Sequence, residues 1–210
     1  GIRDRLRSRG LGDVYKRQHN NRCVAAHGEG LHMEWKAKWI KPSQEMGEVC
    51  PVFVREFDRS REWGRQIAKA ELKVTALGVY EAVLNGKRVG DYVLAPGWTS
   101  YKTRLQYQVY DITKLLEDEN LLTVTVGKGW YRSPIPGWIT EEGKAQRAAV
   151  PAGLLAEITV TDTEGNSFVM GTDESWKAGE SKIRFSEIYD GETFDASFEA
   201  GEYLPAAVFD

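Results

Sequence analysis

The sequence predicts an all-β protein: a jelly-roll-like antiparallel β-sandwich with lead-in strands and a disordered N-terminal leader. Three observations predict it. Short stretches alternate apolar and polar residues with the period of half-buried strands. Turn-forming residues punctuate them at intervals typical of sandwiches. Helical periodicity is scarce. The 210 residues include seven Trp, nine Tyr and 21 Gly, a mixture of large flat rings and turn formers that suits β structure and also suits sugar binding. The expected partition is a leader over 1–32, a lead-in β segment over 33–70, the sandwich over 71–200, and over 201–210 the start of a linker or next domain, cut short.

The elements follow in order. Leu72, Val74 and Ala76 alternate with polar or small neighbours. Asn85-Gly86 lies between two β-prone runs and favours a type I′ hairpin, because both central positions of that turn need positive φ. In TRLQYQVYDI, Leu105, Tyr107 and Val109 take one face while Arg104, Gln106 and Gln108 take the other. A single turn of helix is expected in DITKLLEDEN, with Asp111 as its N-cap. Leu122, Val124 and Val126 point inward, and Glu164-Gly165-Asn166 closes a further hairpin. Between Trp130 and Pro151 the alternation breaks, with three prolines, two tryptophans and the run TEEGKAQR. That stretch reads as a long loop, where rigid sandwiches often carry function.

A net charge of −3 and a pI near 5.8 argue against nucleic acid as a partner, which would call for a basic face. No run reaches the roughly 20 apolar residues that span a membrane, so no membrane partner is expected. Cys23 and Cys50 match no metal spacing and no disulfide framework. Residues 1–18 are arginine-dense, lack the apolar core of a signal peptide, and resemble a translated sequencing-adapter sequence of the kind found in metagenomic reading frames. The functional alternative is a basic arm for nucleic acid or anionic lipid. Met33 is the expected native start, which gives a cytoplasmic location as the default.

With these strands in hand, the motifs become specific. KVTALGVYEAVLNGKRVGDYVLAPGWTSYKTRLQYQVYDIT, then GKGWYRS, TDESWKA and SEIYDGETFDA, resemble the N-terminal domain of bacterial α-L-rhamnosidases, from about Trp35 to about Glu199. WKAKWIKP and CPVFVREF are similar to the lead-in strands of those enzymes. The resemblance implies a jelly-roll sandwich and a non-catalytic accessory role beside a downstream catalytic (α/α)6 barrel. It implies rhamnose-containing glycans as partners of the parent enzyme. In some members this region is a rhamnose-binding module that uses calcium.

Stacking of pyranose C–H faces on flat rings makes Trp98, Trp130, Tyr131 and Trp138 candidate carbohydrate contacts. Arg132 is a candidate forked donor to hydroxyls. The competing expectation is that Trp98 and Trp130 plug the ends of the sandwich. Trp35, Trp39, Trp63 and Trp176 are assigned to packing. Ser133-Pro134-Ile135-Pro136-Gly137-Trp138 departs from the family's glycine-rich loop, so no calcium ligand is assignable, and no cofactor or metal residue is expected. Tyr189, Asp190, Glu192 and Asp195 are candidates for docking the barrel. A glycosidase draws on two carboxylates, but the resemblance places the catalytic pair downstream, so no catalytic residue is expected here. His19, His27 and His32 all lie in the leader. Removed from its barrel, the chain is expected to expose LPAAVF near its end and to self-associate.

Overall fold

A computed structural model describes residues 35–64, 66–101, 104–133, 140, 142–143 and 150–209, together with the backbone of 21–25. The fold is the predicted antiparallel sandwich. One sheet has the order β1 (Asn21–Ala25), β7 (Arg104–Asp111), β4 (Ile67–Leu77), β9 (Gly153–Asp162), β2 (Ile40–Lys41), β15 (Ala207–Val208), with β10 (Ser167–Gly171) also on β9. The other runs β14 (Leu204–Pro205), β11 (Lys177–Glu180), β3 (Pro51–Asp58), β8 (Glu119–Gly127), β5 (Val79–Leu84), β6 (Lys87–Arg88). The chain crosses repeatedly between the two sheets, as in a jelly roll. A two-stranded sheet, β12 (Ile183–Glu187) with β13 (Gly191–Phe194), stands apart from both. Two single helical turns, α1 (Arg59–Glu62) and α2 (Gly129–Arg132), and a 3₁₀ turn at Thr113–Leu115 interrupt the strands.

Period-two alternation generates the core. Leu72, Val74 and Ala76 of β4 and Leu154, Ala156 and Ile158 of β9 face Phe53 of β3 and Leu122, Val124 and Val126 of β8, all at most 1% exposed. Each large aliphatic side chain buried in this way contributes about 1.5–3 kcal/mol. Asn85 and Gly86 take φ of 53° and 74°, as the type I′ turn requires. Asp111 does cap the turn after β7, one residue early: its carboxylate accepts from the Thr113 amide at 2.9 Å and hydroxyl at 2.6 Å.

β7 departs from simple alternation. Gln108 faces the sandwich interior, where it accepts from the Tyr80 hydroxyl at 2.6 Å and donates to the Pro96 carbonyl at 3.0 Å. Tyr107 lies on the outer side and is equally buried, because the lead-in segment covers it. Trp35 packs edge-on against Tyr107 at 5.7 Å, and Lys73 sits 3.9 Å from the centroid of the Trp35 ring. Glu157, 3% exposed, pins this cover. It pairs with Lys73 at 2.6 Å and accepts from the amides of Lys36 and Ala37.

Both termini of the predicted partition look different in three dimensions. Within the stretch read as a leader, Asn21–Ala25 lies antiparallel to β7, satisfying an otherwise open sheet edge; the rest of the leader falls outside the described residues. Residues 201–210, read as the start of a linker or next domain, supply β14 to one sheet and β15 to the other through residue 208. LPAAVF is correspondingly not an exposed strip. Ala206 is 5% exposed and its amide donates to the Trp176 carbonyl at 2.8 Å, while Phe209 packs on Trp39 at 6.3 Å. The tryptophans assigned to packing do pack: Trp63 meets Phe57 edge-on at 5.5 Å, and buried Trp176 donates to the Gly171 carbonyl at 3.1 Å.

Candidate functional site

Two glycines create the first candidate region. Gly127 ends β8, where an added Cβ would lie 3.2 Å from the Ser186 hydroxyl. Gly129 takes φ +53° and passes so close to β5 that a Cβ would fall 2.6 Å from a Val79 methyl and 2.8 Å from the Val79 amide nitrogen. The chain can therefore turn straight from β8 into α2, which presents Trp130, Tyr131 and Arg132 at one end of the sandwich.

The loop after β6 approaches the same end. Its backbone is held at three points: Gln108 to Pro96, Gln106 Nε2 to the Trp98 carbonyl at 2.9 Å, and the Tyr101 hydroxyl to the Gly97 carbonyl at 3.3 Å. Tyr101 then meets Tyr131 perpendicularly at 5.1 Å, which joins this loop to α2. Trp98 is 65% exposed, so the expectation that it plugs the sandwich end fails: its backbone is anchored while its ring stands in solvent. Trp130 is half-buried. Trp138 lies outside the described residues.

Arg132 is placed apart from these rings. Its Nε donates to the Val150 carbonyl at 2.8 Å, a contact across 18 positions. Burial pulls its pKa below the ordinary arginine value, against the opposing influence of Cys50 and Glu48. Together with the Pro42–Val49 segment and Val150–Ala152 it lines a recess of about 470 Å³. Among the described residues, none of Trp98, Trp130 and Tyr131 lines that recess. Cys50, nearby, is buried, and burial pushes its thiol up to about 11, which removes it as a nucleophile near neutrality.

The second region is the β12–β13 hairpin. Tyr189 (56% exposed) and Phe194 (58%) stand in solvent, as do Asp190 and Glu192. Asp195 is occupied locally. It accepts from the Ser197 hydroxyl at 2.6 Å and amide at 2.9 Å, and these bonds hold its carboxyl below the usual range.

Sequence reasoning missed Glu187, which organises the hairpin. It is 7% exposed, and one carboxylate oxygen accepts from the amides of Tyr189 at 2.7 Å and Asp190 at 2.9 Å. Burial alone would raise its pKa. The Ser133 hydroxyl, the two amides and the Lys128 charge outweigh that and hold it below the usual glutamate range. Lys128 in turn pairs with Glu48 and lies 4.7 Å from the centroid of the Phe185 ring. Thus Ser133, which follows α2, and Lys128, which precedes it, both act on the carboxylate that shapes the hairpin tip. No spacing in the sequence signals this influence, which for Ser133 spans 54 positions.

Among the described residues, no group of three or more His, Cys, Asp or Glu side chains is placed to hold a metal ion, and the loop in which family members would offer calcium ligands falls outside them; no step through calcium follows from these residues. No helix among the described residues is long and apolar enough to cross a membrane.

Comparison with known proteins bears directly on this arrangement. The profile of the family described as "Alpha-L-rhamnosidase N-terminal domain" matches residues 65–209. An α-L-rhamnosidase of Streptomyces avermitilis is 40% identical over 157 residues, covering 73% of this chain and 15% of that protein. One from Formosa agariphila is 36% identical over 178 residues, covering 79% and 18%. This chain therefore spans less than a fifth of the length of those curated relatives. In three dimensions it is similar to the α-L-rhamnosidase of Aspergillus terreus, with TM-score 0.73 and 34% identity over 83% of this chain and 21% of that one. It is also similar to the Streptomyces avermitilis enzyme complexed with L-rhamnose, with TM-score 0.66 and 32% identity over 77% and 16%. A sandwich with the anchored PGW loop, the GKGWYRS turn and the YDGETF hairpin in this order is what the matched region comprises, and the chain belongs to the α-L-rhamnosidase N-terminal domain family.

Proposed function

We propose that this chain is a non-catalytic accessory domain of an α-L-rhamnosidase, an enzyme that hydrolyses terminal α-L-rhamnosyl residues, and that it braces the catalytic barrel. The observation that carries the docking role is the hairpin, where Tyr189 and Phe194 are each more than half exposed on an element held rigidly from behind by Glu187. Aromatic side chains kept in water by a stiff support are typical anchors of an interface, and Asp190 and Glu192 supply its polar rim. The partner would be the downstream catalytic domain of the same polypeptide. Purified as 210 residues, the chain is expected to leave an aryl α-L-rhamnoside intact. Turnover that tracks the pure chain through successive columns would overturn the accessory role. In the parent enzyme, Tyr189→Ser with Phe194→Ser is expected to lower the melting temperature of the catalytic domain; an unchanged value would remove the hairpin from the interface.

A second reading, a lectin-like rhamnose-binding module, is favoured by Trp98. Its exposed ring on a backbone fixed at three points, beside the Tyr101–Tyr131 pair, is a preorganised platform of the kind sugars stack upon. Calorimetry with L-rhamnose, with and without calcium, tests it. Heat that disappears in Trp98→Ala supports the module, and no heat at millimolar sugar excludes it.

A further inference from the structure

The outer face of the six-stranded sheet lies away from both regions described above. One row of side chains crosses five of its strands in register: Lys177 of β11, Val54 of β3, Thr123 of β8, Val83 of β5 and Arg88 of β6. Its centre is apolar or half-apolar and its ends are donors. The adjacent row brings Glu56 opposite Leu121, the latter 42% exposed.

Two recesses open along these rows, of about 330 and 570 Å³, and they share Glu56 and Leu121. Each is within the range of small-ligand sites, and their common wall makes them one elongated depression. Tyr203 lines the first recess, half-buried, with its ring edge against Gly179, where a Cβ would lie 2.6 Å from a ring carbon. Glycine in β11 thus lets an aromatic ring settle onto the sheet. Arg55, also in this lining, is only loosely engaged, at 3.3 Å from the Ser175 carbonyl and 3.6 Å from Glu62.

Charge selects the class of occupant. The combined lining holds three cationic and three anionic side chains, and Arg61 lies 3.6 Å from Asp58 within it. A balanced lining provides no field for a nucleic acid, an anionic lipid or an acidic peptide. It does interleave donors and acceptors above an apolar floor, which matches the hydroxyls and C–H faces of a neutral glycan. We propose that this depression is a second carbohydrate site, one that takes a neutral oligosaccharide lengthwise rather than a single terminal sugar. It is independent of the Trp98 platform and of the docking hairpin.

Titration of the isotopically labelled 210-residue chain with an α-linked rhamnose tetrasaccharide, read by amide NMR shifts, tests the assignment. The expected result is perturbation of Val54, Glu56, Leu121, Thr123, Lys177 and Tyr203, with weaker binding of L-rhamnose itself. Leu121→Arg blocks the shared wall at an exposed position and is expected to weaken binding roughly tenfold, equivalent to about 1.4 kcal/mol, with the melting temperature unchanged. Trp98→Ala is expected to leave tetrasaccharide affinity as it was. Absence of shifts at millimolar tetrasaccharide overturns the site, as do shifts confined to residues 97–101 and 129–133; the latter would leave the lectin-like reading standing.

Discussion

Glu187 illustrates how a single buried carboxylate can join two functional regions. Its bonds from the Tyr189 and Asp190 amides are stronger when it is ionised, and with the influence of Ser133 and the Lys128 charge they depress its folded-state pKa against the effect of burial. A carboxyl whose pKa is lowered on folding stabilises the protein above its unfolded pKa, about 4.3 for glutamate, and that stability is lost as pH falls through the lower folded value. Glu187→Ala leaves two amides without a partner and is expected to cost about 2–3 kcal/mol, measured by urea unfolding at neutral pH. Glu187→Gln retains an acceptor oxygen and is expected to cost less. In both variants the decline of stability in acid should be shallower than in the parent chain. Equal slopes would remove Glu187 as the titrating group.

At the scale of elements, the β5–β6 hairpin shows a local signal with a non-local consequence. Positive φ at Asn85 and Gly86 follows from the turn type alone. The Asn85 side chain, however, also donates to the Leu115 carbonyl and to Asn120 Oδ1, each at 2.9 Å, and accepts from the Leu121 amide at 2.9 Å. Asn120, 5% exposed, completes the cluster by bonding the Glu117 amide and carbonyl. The turn therefore fastens the 3₁₀ connection to the start of β8. Asn85→Gly keeps the backbone conformation and deletes these bonds, so it is expected to lower stability by about 2 kcal/mol. A loss of only a few tenths would mean that backbone preference alone selects asparagine here. β7 teaches the converse. Alternation correctly separates its two faces but assigns no direction to them, because Gln108 finds partners in the interior and Tyr107 finds cover outside.

At the scale of the whole molecule, the last strands are structural. β14 extends one sheet and β15 the other, so the C-terminal segment ties both layers together. A chain ending at Tyr203 is expected to lose cooperative thermal unfolding, followed by circular dichroism; an unchanged sharp transition would show that the segment is dispensable. Among the described residues, the large apolar side chains in water lie elsewhere, at Val93 (68% exposed), Leu94 (45%), Trp98, Leu121, Tyr189 and Phe194. Self-association of the isolated chain should originate there rather than in LPAAVF.

The residues by themselves determined the fold class, the inward faces of β4 and β8, the hairpin turns and the family, because strand period and turn chemistry are local properties and the motifs keep their order along the chain. They also singled out Trp98 and Tyr189 by type and position. Only the tertiary structure decided that Trp98 is exposed, that Arg132 reaches the Val150 carbonyl, that Glu187 organises the hairpin beside α2, and that residues 204–208 belong to both sheets. Those outcomes depend on which distant strand lies alongside and how much water it excludes. A charge or ring acquires its role from such neighbours, and sequence distance carries no record of them.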